Sequence, residues 1–244
     1  MKTLLLNIGN THTQIAECKE NLSPKLLNVV ETETITATGH LAFLDAYPAP
    51  WNALAVSVVP AAQRVLSLKY RSSIRFLTTA DFPQLDFSGV DTTTLGMDRV
   101  ANAVAAYSLV KGAVTVIDFG TCVNTVSVDA QGRFLGGAIL PGRLLLRKAL
   151  RLYTAQLPLV PLGNEVPKPL GTNTQDAISA GLDIGILGAV QRLLAETQKS
   201  LGGKGVVLPT GGDAPFFVAA LPKLLSSVPE LLTLHGVALA SRHE

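Results

Sequence analysis

Ala113-Val114-Thr115-Val116-Ile117-Asp118-Phe119-Gly120-Thr121 is a short apolar run, rich in β-branched residues, that ends in an acid, a glycine and a hydroxyl. The run reads as a buried strand. The turn after it allows close approach of an anion: Gly120 carries no side chain, and Thr121 offers both N–H and O–H. Asp118 at the strand exit can hold a cation beside that anion. An ordinary Asp–Gly turn would look the same in isolation. A second copy of the pattern, Leu4-Leu5-Leu6-Asn7-Ile8-Gly9-Asn10-Thr11, shifts the reading. Two strand–turn loops about one domain apart imply two related lobes closing on a nucleotide.

The rest of the chain suits that plan. With 244 residues, 48% of them hydrophobic and 16% charged, a substantial core and a buried oligomer face are expected. A net charge of +2 with few aromatics gives no nucleic-acid surface. The two cysteines, Cys18 and Cys122, fall in strand-like stretches and form neither a disulfide framework nor a zinc site, which agrees with a reducing cytosol. His12, His40, His235 and His243 lack metal spacing, and His12 reads as a solvated loop residue. Asn7 to His12 cut short the apolar start, and no uninterrupted apolar run has the length of a membrane span. A soluble, cytoplasmic protein with no nucleic-acid or membrane partner is expected.

Taken in order, residues 2–8, 13–18, 26–30, 53–59 and 73–77 read as strands, with helices over 39–47 and 61–70. The polar stretch 81–94 reads as a linker, and Leu95 to Arg99 leads into an alanine-rich helix over 100–110. Asp98 in a first turn complements the helix dipole, whereas Arg99 beside it opposes the dipole and so hints at an anionic ligand. Strands over 123–128 and 132–140 follow, then a helix through Tyr153. Thr174 reads as the N-cap of a long helix over 175–200, and capping alone would explain it. Residues 205–208 form a strand ending in Thr210-Gly211-Gly212-Asp213, a turn that admits a flat or phosphorylated ligand. Helices from Ala214 and over 234–241 close the chain. The expected division is a first lobe at 1–88, a second at 89–234, and a C-terminal helix at 235–244 returning to the first.

Asn7-Ile8-Gly9-Asn10-Thr11, Ser57-Val58-Val59-Pro60, Leu95-Gly96-Met97-Asp98-Arg99, Asp118-Phe119-Gly120-Thr121, Gly136-Gly137-Ala138-Ile139-Leu140-Pro141-Gly142 and Thr210-Gly211-Gly212 together resemble the type III pantothenate kinases, in order and spacing, over nearly the whole chain. That family, with which the Bvg accessory factors are grouped, belongs to the acetate and sugar kinase, Hsp70 and actin superfamily. The resemblance implies an α/β, two-lobed actin-like (ribonuclease H-like) ATPase fold, each lobe a mixed sheet with flanking helices. It implies a cytoplasmic homodimer that phosphorylates pantothenate with ATP, the first step towards coenzyme A. Under it, Asn7, Gly9, Asn10, Thr11, Thr121, Gly211 and Gly212 bind ATP, and Asp98 is the catalytic base. Gly96, Met97, Arg99 and Thr174 meet pantothenate, Thr174 across a subunit interface. Asp118 holds a monovalent cation, K+ or NH4+, and Mg2+ accompanies the ATP. The chain departs from the family pattern at four places. Asn7 stands for an Asp, Gly89 for a Tyr, Thr92 for a Pro, and Cys122-Val123-Asn124 for Ala-Thr-Thr. A weakly active or non-catalytic nucleotide- or pantothenate-binding homologue is the second reading.

Overall fold

The computed structural model describes residues 2–19, 22–225 and 230–240. The elements in order are β1 (Lys2–Ile8), β2 (His12–Cys18), β3 (Pro24–Glu31), α1 (Thr32–Thr38), α2 (Ala42–Ala46), β4 (Trp51–Ser57), α3 (Pro60–Tyr70), β5 (Ile74–Phe76) and α4 (Met97–Val110). They continue as β6 (Val114–Phe119), β7 (Cys122–Val128), β8 (Phe134–Gly136), β9 (Ile139–Pro141), α5 (Arg143–Tyr153), α6 (Thr174–Ser200), β10 (Val206–Thr210), α7 (Ala214–Ala220) and α8 (Leu232–Ala240). Two compact units result. One comprises residues 1–111, 132–135 and 231–244, the other 112–131 and 136–230.

The first unit is built on a sheet of order β3-β2-β1-β4-β5. β1 pairs antiparallel with β2 and parallel with β4, the latter in register from Lys2↔Trp51 to Ile8↔Ser57. Leu4, Leu6, Ile8 and Ile15 place their side chains in a core closed by Ile35, Leu44, Ala62 and Leu66 from the helices. α4 belongs to this unit, although the sequence places it beyond a boundary at residue 88. Its buried alanines leave a smooth surface on which α8 packs, with Gly236 so close to the Ala101 backbone that a Cβ there would overlap it. Thr233 donates to Asn102 Oδ1 at 2.7 Å across the same buried face. The last residues of the expected C-terminal helix, 241–244, lie outside the described residues.

Two readings are corrected, one in each unit. A helix over 39–47 is expected, yet two short ones form, α1 before it and α2 within it, with Gly39 in the left-handed region (φ 73°) ending the first. The Thr-rich α1 has poor intrinsic helix propensity, and burial of Ile35 and Thr32 overrides it. In the second unit, one strand over 132–140 is expected, but the chain breaks at Gly136 (φ 85°) into β8 and β9.

The second unit carries β10 and β7 on either side of β6, parallel and antiparallel respectively, with β9 paired to β7. α6 and α7 cover it through Ile186, Leu187, Val190, Leu194, Phe216 and Phe217, and the Phe119 and Phe217 rings stack at 3.9 Å. Among the described residues, α6 is the one helix long and apolar enough to cross a membrane, and it spends a face on this core. Thr174 is not its N-cap. Asn173 takes that role, its Oδ1 accepting from the Asp176 N–H at 2.9 Å while its amide donates to the Asp176 carboxylate at 2.7 Å. An amide caps as well as a hydroxyl does, so the choice of neighbour was open to the sequence.

Candidate functional site

In the first unit the parallel strands β1 and β4 end side by side, and three of the singled-out segments meet at that edge. Asn7 lies in the last turn of the β1 pleat. Its Nδ2 donates to Gln14 Oε1 at 3.2 Å, while its Oδ1 is buried and accepts no hydrogen bond. A buried acceptor without a donor costs about 1–3 kcal/mol unless a ligand satisfies it. The loop that follows is closed by the Gly9 N–H on His12 O at 3.0 Å. Asn10 and Thr11 are exposed at its tip.

Ser57 to Pro60 form the turn beyond β4, with the Val58 N–H on Ile8 O at 3.0 Å. Against it stands the start of α4. Gly96 is the N-cap, and a Cβ there would lie 2.7 Å from Asp98 Oδ1, 3.4 Å from Val58 Cγ1 and 3.5 Å from Arg99 Nε. The close approach therefore requires glycine and presses the backbone against the Asp98 carboxylate. That carboxylate accepts the Arg99 N–H at 2.7 Å. Burial pushes Asp98 above the ordinary carboxylate range, against the pull of the Arg99 N–H and guanidinium. The Arg99 guanidinium is half-buried and, among the described residues, enters no hydrogen bond or ion pair. Met97 is the first residue of the helix and half-buried.

The second unit makes a corresponding edge where β6 and β10 end in parallel register, Thr210 opposite Asp118. Ligand sites of open α/β sheets form beyond such strand ends. The Gly120 N–H bonds Cys122 O at 3.0 Å, closing the 120–121 turn. Gly142 packs on it so tightly that a Cβ would lie 2.6 Å from Thr121 O, and its own N–H donates to that oxygen at 3.0 Å. Gly211 has φ 96° and abuts Asp118 Oδ1 and the Phe119 carbonyl, to which the Asp213 N–H donates at 2.9 Å. Asp118, Thr121, Gly211 and Gly212 are thus gathered at one edge. Among the described residues no group of three His, Cys, Asp or Glu side chains could hold a metal ion. Thr174 lies elsewhere in this unit, exposed in an open groove of about 570 Å³ lined by Gln156, Pro158, Asn173 and Gln175.

Sequence reasoning missed a buried ionic cluster under the second edge. Arg143, Arg147 and Asp183 are 2%, 1% and 1% exposed, so none has water to fall back on. Asp183 accepts from Arg143 Nε and Arg147 at 2.9 Å, and Arg143 also reaches Asp213 Oδ1 at 2.9 Å and Gly163 O at 2.7 Å. Its guanidinium lies 3.5 Å over the Phe216 ring. Burial pushes Asp183 up, but the two guanidinium groups outweigh it and hold the carboxyl below its ordinary range. Asp213 goes the other way, with burial only partly offset by Arg143. Arg143 and Arg147 one helical turn apart, and a single Asp inside the apolar α6, are the signals that could have found the cluster.

A family model described as type III pantothenate kinase matches residues 3–196. A type III pantothenate kinase of Endomicrobium trichonymphae is 32% identical over 255 aligned positions, 96% of each chain. Against the first curated relatives it matches, at 36–39% identity, the chain spans 54–57% of their length. Among solved structures, a Baf family protein from Campylobacter jejuni superposes with a TM-score of 0.65 at 19% identity, over 98% of both chains. An archaeal actin homologue superposes with a TM-score of 0.55 at 8% identity over the whole of both. The likeness to these structures is one of fold, and it makes the two mixed sheets with flanking helices an actin-like fold. The family model covers the strand-end loops of β1 and β6 and the Gly96–Arg99 turn, and together with the full-length relative it shows that the chain belongs to the type III pantothenate kinase family.

Proposed function

We propose that this chain transfers the γ-phosphoryl group of ATP to the primary hydroxyl of pantothenate, forming 4′-phosphopantothenate and ADP. The observation that carries the reading is the Asp98 carboxylate. It is largely shielded, held by the backbone N–H groups of Arg99 and of Asp98 itself, crowded by Gly96, and set at the same strand edge as the Asn7–Thr11 loop. In that position it accepts the hydroxyl proton as the pantothenate oxygen bonds to the γ-phosphorus and the bond to the β,γ-bridging oxygen breaks. Phosphoryl transfer asks the protein chiefly for positioning and charge stabilisation, so one well-placed base suffices beside the phosphate-binding groups. Burial raises the proton affinity of Asp98 towards that of a better base.

Arg99 is the counter-charge for the pantothenate carboxylate, because its guanidinium is half-buried and enters no hydrogen bond or ion pair of its own among the described residues. Gly96 and Met97 line the same turn. In the first unit Gly9, Asn10 and Thr11 take phosphate through the turn; in the second, Thr121 takes phosphate and Gly211-Gly212 lies by the adenosine. Mg2+ neutralises phosphate charge when bound. In the first unit Asn7 Oδ1, a buried oxygen without a donor, suits a hard cation such as Mg2+. In the second unit Asp118 would offer a carboxylate to K+ or NH4+. A homodimer is supported by Leu144, Leu145, Leu152, Tyr153 and Ile184 exposed on α5 and α6. On α6, Gly181, Gly185 and Gly188 would leave an added Cβ in open space. Thr174, whose hydroxyl is not spent on the cap, is then free to serve a neighbouring site. The family's chemistry and the absence of any need for oxidising conditions suit the cytoplasm.

Asn7 favours a second reading, a non-catalytic nucleotide- or pantothenate-binding homologue, since a neutral amide stands where the family has a carboxylate. ADP release dependent on both ATP and pantothenate separates the two. Turnover supports the kinase, and binding of both without turnover supports the binder. Light scattering that finds only a concentration-independent monomer removes the dimer and Thr174's role.

A further inference from the structure

Thr32 opens α1, is 1% exposed, and makes two bonds to the loop after β1 and one to β2. Its hydroxyl donates to Gly9 O at 2.7 Å, and its backbone N–H donates to Thr11 O at 2.9 Å. Its Oγ1 also lies 2.9 Å from Oγ1 of Thr13, which is fully buried. One hydroxyl has one proton, so with Thr32 donating to Gly9 O, Thr13 must be the donor to Thr32. The result is a directed relay, Thr13 O–H to Thr32 O–H to Gly9 C=O, with no water needed.

Peptide planarity converts this into a statement about the outer face of the loop. Across a trans peptide the carbonyl oxygen and the following N–H point in opposite directions, and the one cis bond among the described residues is Ala49–Pro50. Turning Gly9 O inward to Thr32 turns the Asn10 N–H outward. The Gly9 N–H is already used on His12 O, and the Asn10 N–H bonds nothing among the described residues. The exposed tip at Asn10 and Thr11 therefore presents a donor to solvent while its carbonyls are held behind it. Backbone donors converging without their acceptors are what an anion requires.

We propose that Thr32 is a positioning residue for phosphate recognition, holding the Gly9 and Thr11 carbonyls inward so that the Asn10 amide faces the anion. The inference rests on the reading of the 9–11 loop as a phosphate loop. A hydroxyl that merely satisfied a buried carbonyl would matter to stability alone.

Thr32→Val removes the hydroxyl and keeps both the shape and the N–H bond to Thr11, and Thr32→Ser restores the hydroxyl. Calorimetric titration of the purified full chain with ATP and with adenosine separates the phosphate term from the base term. The Val variant is expected to bind ATP about tenfold more weakly, the worth of one buried hydrogen bond, with adenosine binding within about twofold of the parent and the Ser variant close to the parent for both. In turnover, KM for ATP rises in step while KM for pantothenate stays. Unchanged ATP affinity in the Val variant overturns the proposal, as does an equal loss for ATP and adenosine. If the Val variant does not fold, Thr32→Ala takes its place: it removes the same hydroxyl with a smaller side chain, and ATP affinity unchanged there is the refuting result. A parent that binds no ATP would instead overturn the nucleotide reading on which the clamp depends.

Discussion

Gly96→Ala is the sharpest test of Asp98's role. The backbone at Gly96 (φ −63°, ψ 125°) is one any residue adopts, so alanine introduces no strain of its own. What it introduces is a methyl group whose carbon lies 2.7 Å from Asp98 Oδ1, where ordinary contact begins near 3.4 Å. The carboxylate must retreat by about 0.7 Å, and misplacement of a reacting group by about 1 Å costs on the order of 100-fold in rate. A fall in kcat of about 10- to 100-fold follows, or roughly 1.4–2.7 kcal/mol of transition-state stabilisation. Stability should hardly change: replacing glycine stiffens the unfolded chain by about 0.4–1 kcal/mol, and alanine is a poorer N-cap by a similar amount. Steady-state kinetics with both substrates and a thermal melt read the two effects separately. The double variant Gly96→Ala/Asp98→Asn should be no slower than Asp98→Asn alone, because both changes act through one group. Full kcat in the folded single variant would mean that Asp98 is not the base, and a loss of more than about 10 °C in Tm would make Gly96 a structural residue instead.

Three further outcomes are expected. Asp98→Asn should abolish turnover yet raise Tm at neutral pH: a carboxyl pushed up by burial contributes stability below its unfolded value that is lost as pH rises, so the gain should vanish in melts below about pH 4. Asn7→Asp should lower the magnesium concentration giving half-maximal activity by about tenfold and, without metal, lower Tm, since it puts a charge where an oxygen already lacks a donor; identical magnesium curves would show that residue 7 does not face the metal. Asp183→Asn should cost about 3–5 kcal/mol, or about 6–20 °C in Tm, by leaving the buried Arg147 guanidinium without a carboxylate and Arg143 with Asp213 alone. The parent should lose that margin as pH falls through the depressed Asp183 value, while the variant's melts stay flat there.

Much of the layout was legible because strand periodicity and turn residues are local signals. β1, β6 and the helix start at Ala214 fall where the pattern puts them, and the six singled-out segments, five of them marked by glycine, collect at two strand edges. The failures are places where partners distant in sequence decide. α1 is helical through burial of Ile35 rather than through the preferences of its four threonines. Asn173 takes the cap that Thr174 could have taken equally well. The Arg143, Arg147, Asp183 and Asp213 cluster joins residues up to 70 positions apart, and Thr32 meets Gly9 across 23. No window of sequence contains such pairs.

The glycines show the same division from inside the candidate site. Read in sequence, Gly96, Gly120, Gly142 and Gly211 mark segments singled out for ligand binding, and the turns at Gly120 and Gly211 admit an anionic ligand. Space rather than freedom explains three of them. A methyl at Gly96 strikes the Asp98 carboxylate, one at Gly142 strikes the Thr121 carbonyl, and one at Gly211 strikes both Asp118 and the Phe119 carbonyl. Only Gly211 also needs its positive φ, and Gly120 itself has ordinary room, its nearest neighbours at 3.7 Å. So these three residues are small because a carboxylate or carbonyl oxygen already occupies the place of the side chain. Close packing of backbone on the carboxylate adds to the short bond from the Arg99 N–H in fixing the position of the charge, and in the proposed role leaves the remaining lone pairs of Asp98 for the substrate. A base satisfied by several donors would sit just as firmly, but its proton affinity would fall, since hydrogen bonds to a carboxylate favour the charged form. Crowding by glycine holds Asp98 in place while burial keeps its affinity raised, and that combination suits proton acceptance better than a salt bridge would.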